Sequence, residues 1–147
     1  MIKNLMDLSK KRLIVGAFFI SLAIIYFYLT DYSTHQLVDL YKQKSNGVMV
    51  TFEAKVINIL SDDNQGSRHQ RLIVEKPPLT VLIAHNIDLS ERVPVKIGDY
   101  ILVKGQYEWN QKGGIVHWTH SDPRGQHKGG WIEFRGQKYG EQLKTVK

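Results

Sequence analysis

The chain has 147 residues and no cysteine, which excludes disulfide frameworks, thiolate zinc sites and thiol catalysis, and its length fits one domain plus an appendage. The formal net charge is +6. Half of it lies in the first 44 residues, with six Lys/Arg against three Asp/Glu, leaving fourteen against eleven in the rest, so the high pI reports topology as much as a polyanion partner.

Residues 1–12 are basic, with Lys3, Lys10, Lys11 and Arg12, and Leu13 to Leu29 (LIVGAFFISLAIIYFYL) carries neither charge nor proline. As a helix at about 1.5 Å per residue this run reaches about 25 Å, just short of the roughly 30 Å hydrocarbon core. Tyr26, Tyr28 and Tyr32 sit where an interfacial aromatic belt forms, and Asp31 follows the run. The spacing predicts a single transmembrane anchor over 13–30. By the positive-inside rule the N-terminus is cytoplasmic and the rest is periplasmic, held at the inner membrane. Ser21-Leu22-Ala23 resembles a signal-peptide cleavage site, but cleavage there leaves an apolar new terminus from Ile24 to Leu29, so an uncleaved anchor is expected.

Residues 31–47 read as a short helix and linker. Ser33/Thr34 supply a cap, Leu37, Val38, Leu40 and Tyr41 an apolar side, and Ser45-Asn46-Gly47 a stop. The segment is either a stalk or a helix packed on the domain that follows.

From residue 48 to 147 the period becomes two. Val50, Phe52, Ala54 and Val56 alternate with Thr51, Glu53 and Lys55, and then Ile57 and Ile59 take the opposite parity, which predicts a β-bulge. After a polar turn at Ser61–Ser67, strands are expected at His69–Glu75, Leu79–His85, Tyr100–Trp109 and Ile115–Thr119. Asn86–Gly98 is a long connection with room for a helical turn, and Trp131–Phe134 with Gln137–Tyr139 reads as a terminal hairpin around Gly136. The expected fold class is mainly all-β: a small five-stranded OB-like barrel preceded by the transmembrane helix and the short helix. An SH3-like barrel is the alternative, and neither decides function.

Five of the six histidines fall in this β domain, in the words DDNQGSRHQR, AHNID and HWTHSDPRGQHKGGW. Each word lies at a strand end or in the adjoining turn, where sites are commonly built. His69 and Arg71 share a strand face suited to a phosphate or carboxylate, which makes His69, Arg71 and His117 the candidate catalytic groups. Arg68, Gln70, Asn86, Thr119 and Arg124 are candidate ligand contacts. Asp62, Asp63, His85, His120, Asp122 and His127 are candidate ligands for a divalent metal ion. If 115–120 is extended, His117 and Thr119 share one face while Trp118 and His120 share the other. A plainer reading stands beside these. A strand-end histidine is commonly a hydrogen-bonded structural residue, Asp62-Asp63-Asn64 is turn chemistry, and Trp109, Trp118 and Trp131 are core or barrel-closing residues rather than stacking platforms.

DDNQGSRHQR, AHNIDLSERV, KIGDYILVKGQYEWNQKGGIVHWTH and SDPRGQHKGGW run in order from Asp62 to Tyr139. This succession closely resembles the bacterial family known as domain of unknown function 3465. The resemblance implies a small exported or membrane-anchored domain and leaves activity open. One departure is Ser121 after HWTH, where relatives often carry another histidine.

Two functional classes follow. In the first, the His/Asp/Arg words bind a polyanion, nucleic acid or another phosphodiester, and hydrolyse it with a divalent metal. In the second, the domain is a non-catalytic binding module for a glycan or an envelope protein. A third reading is a pH or metal sensor built on the histidines.

Overall fold

The computed structural model describes residues 2–122 and 125–141, with side chains described from Lys10 onward. The chain divides after Tyr32 into two units. A single helix, α1 (Ile2–Lys42), runs through the division, so Ser33 and Thr34 do not begin a second helix. No glycine or proline lies between Gly16 and Gly47, so nothing local interrupts the helical ladder and these residues stay inside it.

In the first unit Leu13, Phe18, Ile24 and Phe27 are all exposed. The helix from Lys10 is long and apolar enough to cross a membrane. Such a helix is compatible with membrane anchoring, and an N-terminal signal sequence has the same composition.

In the second unit the helix end packs rather than serving as a stalk. Leu37 is buried in the core, Leu40 lies against it, and Tyr41 rests beside Trp109 with ring centroids 6.5 Å apart. The spacing of 37, 40 and 41 places all three on one helical stripe. Lys44, at φ 53°, closes the helix, and the Ser45 N–H donates to Leu40 O at 2.9 Å. Both features belong to a left-handed C-cap of Schellman type. Asn46 and Gly47, expected as the stop, instead open the first strand.

Seven strands follow: β1 (Asn46–Asp63), β2 (His69–Lys76), β3 (Leu79–Asn86), β4 (Tyr100–Glu108), β5 (Ile115–His117), β6 (Trp131–Phe134) and β7 (Gln137–Tyr139). The protein is mainly β. Five strands close a ring in the order β1-β2-β3-β5-β4 and back to β1, antiparallel except for the parallel β3–β5 pair. That closed order is compatible with the OB-like expectation. The register of β1 on β2 slips between Val56 and Asn58, where the apolar parity changes. β6 and β7 form the expected hairpin on the free part of β4. Its two-residue turn has Arg135 at φ 52° and Gly136 at φ 77°, the positive pair of a type I′ turn.

Alternate residues fill the ring: Val50, Phe52, Ala54 and Val56 from β1, Leu72 and Val74 from β2, Ile101, Val103 and Tyr107 from β4. The connection at 87–99 contains turns and irregular backbone but no helical turn, and it contributes Val93 and Val95 to the same core.

Candidate functional site

Strand register gathers the histidines. His69 opposes Asn86 and Gln70 opposes His85 across β2–β3, while His117 opposes Gln106 across β4–β5. Because β3 and β5 run parallel, their C-terminal ends and the start of β2 meet at one end of the ring. Three polar networks occupy that end.

The inner network is structural. His85 is fully buried. Its Nε2–H faces Glu91 O at 3.0 Å and Ser90 Oγ at 2.9 Å, and its Nδ1 lies 2.8 Å from Thr119 Oγ1. A carbonyl only accepts, so the proton sits on Nε2 and the Thr119 hydroxyl donates to Nδ1. Burial is the main cause that pushes His85 down to about 4, with His120 and His69 adding like-charge repulsion. Gln70 is buried too: its Nε2–H donates to Val93 O at 2.9 Å, and its Oε1 accepts the Val93 N–H at 3.0 Å. Asn86 Oδ1 accepts the N–H of Asp88 at 2.9 Å and of Leu89 at 3.2 Å. Gln70, Asn86, Thr119 and His85, expected as ligand contacts and a metal ligand, thus hold the 87–95 connection against the ring. Their polar groups are spent on backbone or, for His85 and Thr119, on each other, because buried donors and acceptors require partners.

The peripheral network uses the arginines. Arg68 pairs with Asp88 through Nε at 2.7 Å, and its backbone N–H donates to the same carboxylate at 2.8 Å. These contacts hold Asp88 below the usual carboxylate range. Arg71 Nε–H donates to Ser61 O at 2.8 Å, and Arg92 pairs with Asp62. Asp63 Oδ1 caps the Gln65 N–H at 3.0 Å. Arg68 is thereby ion-paired, Arg71 hydrogen-bonds the neutral oxygens of Ser61, and Asp62 and Asp63 lie at the end of β1 rather than in the turn, with Asp63 opposite His69. Arg124 lies outside the described residues.

The outer network centres on Trp118. The chain does not stay extended after β5: Trp118 takes φ 54°, a conformation costly for a bulky side chain. The turn buries Thr119 and His120 together, which corrects the alternation expected for an extended 115–120. Trp118 is not a core residue. It is half-buried, with ring-centroid distances of 5.2 Å to His117, 5.8 Å to His120 and 3.9 Å to His127. His127 is brought back by Asp122, whose Oδ2 accepts the N–H of Gln126 and, at 2.9 Å, of His127. His117 Nε2 is buried without a hydrogen-bond partner among the described residues, and the Glu108 carboxylate is 3.7 Å away. Burial lowers the His117 pKa, and Glu108 acts in the opposite direction.

Close backbone approach builds this corner. A Cβ on Gly105 would stand 2.5 Å from His117 O. One on Gly130 would collide with the carbonyls of Lys104 and Trp118. Gly130 lets the returning chain lie against β4. A neighbouring groove of about 830 Å³ lies between the Leu89–Glu91 turn and the β6–β7 hairpin, reaching this end through Ser121.

Of the six expected metal ligands, His120, Asp122 and His127 come together, while His85, Asp62 and Asp63 belong elsewhere. Among the described residues no three His, Asp or Glu side chains are grouped so as to hold an ion. Sequence reasoning read Trp118 as a core or barrel-closing residue and left out Glu108.

Fold and site together define a small mainly-β domain preceded by a long apolar helix, with an imidazole-rich corner at one end of the strand ring. The chain belongs to the family described as Protein of unknown function (DUF3465), whose model matches residues 18–140. No curated protein matches it.

Proposed function

We propose that this protein is a membrane-anchored, extracytoplasmic binding module whose Trp118 corner holds a phosphodiester-containing polyanion, single-stranded nucleic acid being the first candidate. The observation that carries the reading is Trp118. A half-buried indole in a left-handed backbone, with three imidazoles around it, is strain without benefit to the core, and such strain concentrates at functional sites. Aromatic faces stack on bases regardless of sequence. The basic segment before Leu13 and Asp31 after the run favour export of the domain and a cytoplasmic N-terminus at the inner membrane.

The reading stops at binding. Arg71, expected to meet developing phosphoryl charge, is held on Ser61. The test is anisotropy of a labelled single-stranded oligonucleotide with the full chain in detergent micelles, from about 50 to about 200 mM salt. Log affinity should fall linearly with log salt, by about 0.7 per phosphate contacted. Absent or salt-independent binding contradicts the proposal, and saturable binding of a neutral oligosaccharide instead moves the function to glycan recognition.

A further inference from the structure

We infer that the free edge of β7 is a docking surface for an extended basic segment of a partner protein, which adds a strand to the sheet in the groove facing the Leu89–Glu91 turn. The first observation is topological. β7 ends the strand order and pairs with β6 alone. The groove is lined by the consecutive residues from Gly136 to Glu141. Successive strand residues point to opposite faces, so a cleft lined by every residue in turn runs along the strand's edge and not over a face.

The second observation is the hydrogen-bond phase of that edge. The two-residue turn makes Phe134 and Gln137 a hydrogen-bonded pair, so Ile132 and Tyr139 are the next such pair, and Glu133 and Lys138 between them are not one. The N–H and C=O of Lys138 therefore point away from β6, and no turn or loop hydrogen bond among the described residues reaches them. The neighbouring place on the same edge is already used, because the Ser121 N–H donates to Gly140 O at 2.6 Å. The edge thus accepts backbone at Gly140 and stands open at Lys138. Lysine on an edge strand commonly guards it. Here the Lys138 ammonium lies 4.4 Å from the ring centroid of Trp131, on β6, and 3.3 Å from Glu141. Its side chain leans back over β6 and leaves the edge uncovered.

The third is the opposite wall. Leu89 is 62% exposed, and Glu91 is exposed with no ion pair among the described residues. The groove carries Glu91 and Glu141 against the one lining cation, Lys138, a local acidity on a chain of net charge +6. In strand addition the backbone bonds supply attachment and the side chains supply selectivity. An aliphatic side chain of the added strand covers Leu89, and a basic one pairs with Glu91. The same carboxylates disfavour a polyanion, so this surface is separate from the Trp118 corner.

The probe is a fluorescein-labelled heptapeptide of alternating lysine and valine, titrated with the full chain in detergent and followed by anisotropy. Saturable one-to-one binding is expected. The same peptide with proline at its centre should bind about tenfold more weakly, and a glutamate–valine heptapeptide should not bind. Of the backbone groups, Lys138→Pro removes only the outward N–H, which does not bond β6. It also deletes a positive charge, so electrostatics alone would strengthen binding of a basic peptide. A loss of about tenfold in this variant therefore identifies the edge, and Glu91→Gln should weaken binding about threefold. Far-ultraviolet dichroism is recorded for both, and Glu91→Gln, at an exposed position, carries the test if Lys138→Pro does not fold. No saturable binding by the wild type, equal binding of the proline-interrupted peptide, or wild-type affinity in either folded variant overturns the inference. So does a dimer, seen by light scattering and lost in Lys138→Pro, which assigns the edge to a second copy.

Discussion

The Trp118 indole lies 3.9 Å from the His127 imidazole, centroid to centroid, with the planes tilted by 32°. The two residues leave the ring from different ends of one excursion, between β5 and β6, and meet again because Asp122 gathers the backbone behind His127. The contact joins a strained backbone to a loop clamp, and neither feature serves the hydrophobic core.

The inner network should be purely structural. Gln70→Ala leaves the Val93 N–H buried without its partner, while the Val93 C=O keeps the Val95 N–H. One orphaned donor costs about 1–3 kcal/mol, so a loss in that range is expected, read as a lower urea midpoint at unchanged slope. Ligand affinity of the folded variant should be unaltered; a stable variant with lost affinity would return Gln70 to the site.

Stability should fall with acid through His85. Its folded-state value is depressed to about 4 from 6.5, so between those values the unfolded chain binds the extra proton. The stabilisation is complete above about pH 6.5 and is lost as pH falls toward 4, about 3 kcal/mol in all. His117, lowered by the same cause, adds in the same direction. Urea unfolding at stepped pH checks this, and His85→Gln should flatten the slope. An unchanged slope in that variant would place the titration elsewhere.

Gly130→Ala should be destabilising by about 1–3 kcal/mol. The added Cβ meets two carbonyl oxygens, of Lys104 and Trp118, and backbone atoms do not rotate aside. Thermal unfolding reads the effect, and a melting temperature equal to the wild type would show that the corner is looser than described.

Much of this architecture was legible because alternation carries it. The parity change at Val56/Ile57 located the bulge observed between Val56 and Asn58. Gln70 also had a signal, since it shares parity with the inward Leu72 and Val74, yet its polarity suggested a ligand. Ser33 and Thr34 were misread because capping residues are also tolerated within a helix that no breaker interrupts. Trp118 was illegible for a different reason. A positive φ at tryptophan has no sequence signature, and without that turn Thr119 and His120 take opposite faces.

The most direct test of the central claim is the affinity of the full-length Trp118→Ala chain for a single-stranded oligonucleotide at fixed salt, beside the wild type. Stacking on one aromatic ring contributes about 1–3 kcal/mol per base. The account therefore expects a loss of roughly tenfold to hundredfold, with unchanged far-ultraviolet dichroism. Wild-type affinity in a folded Trp118→Ala chain would contradict it and remove Trp118 from the binding surface.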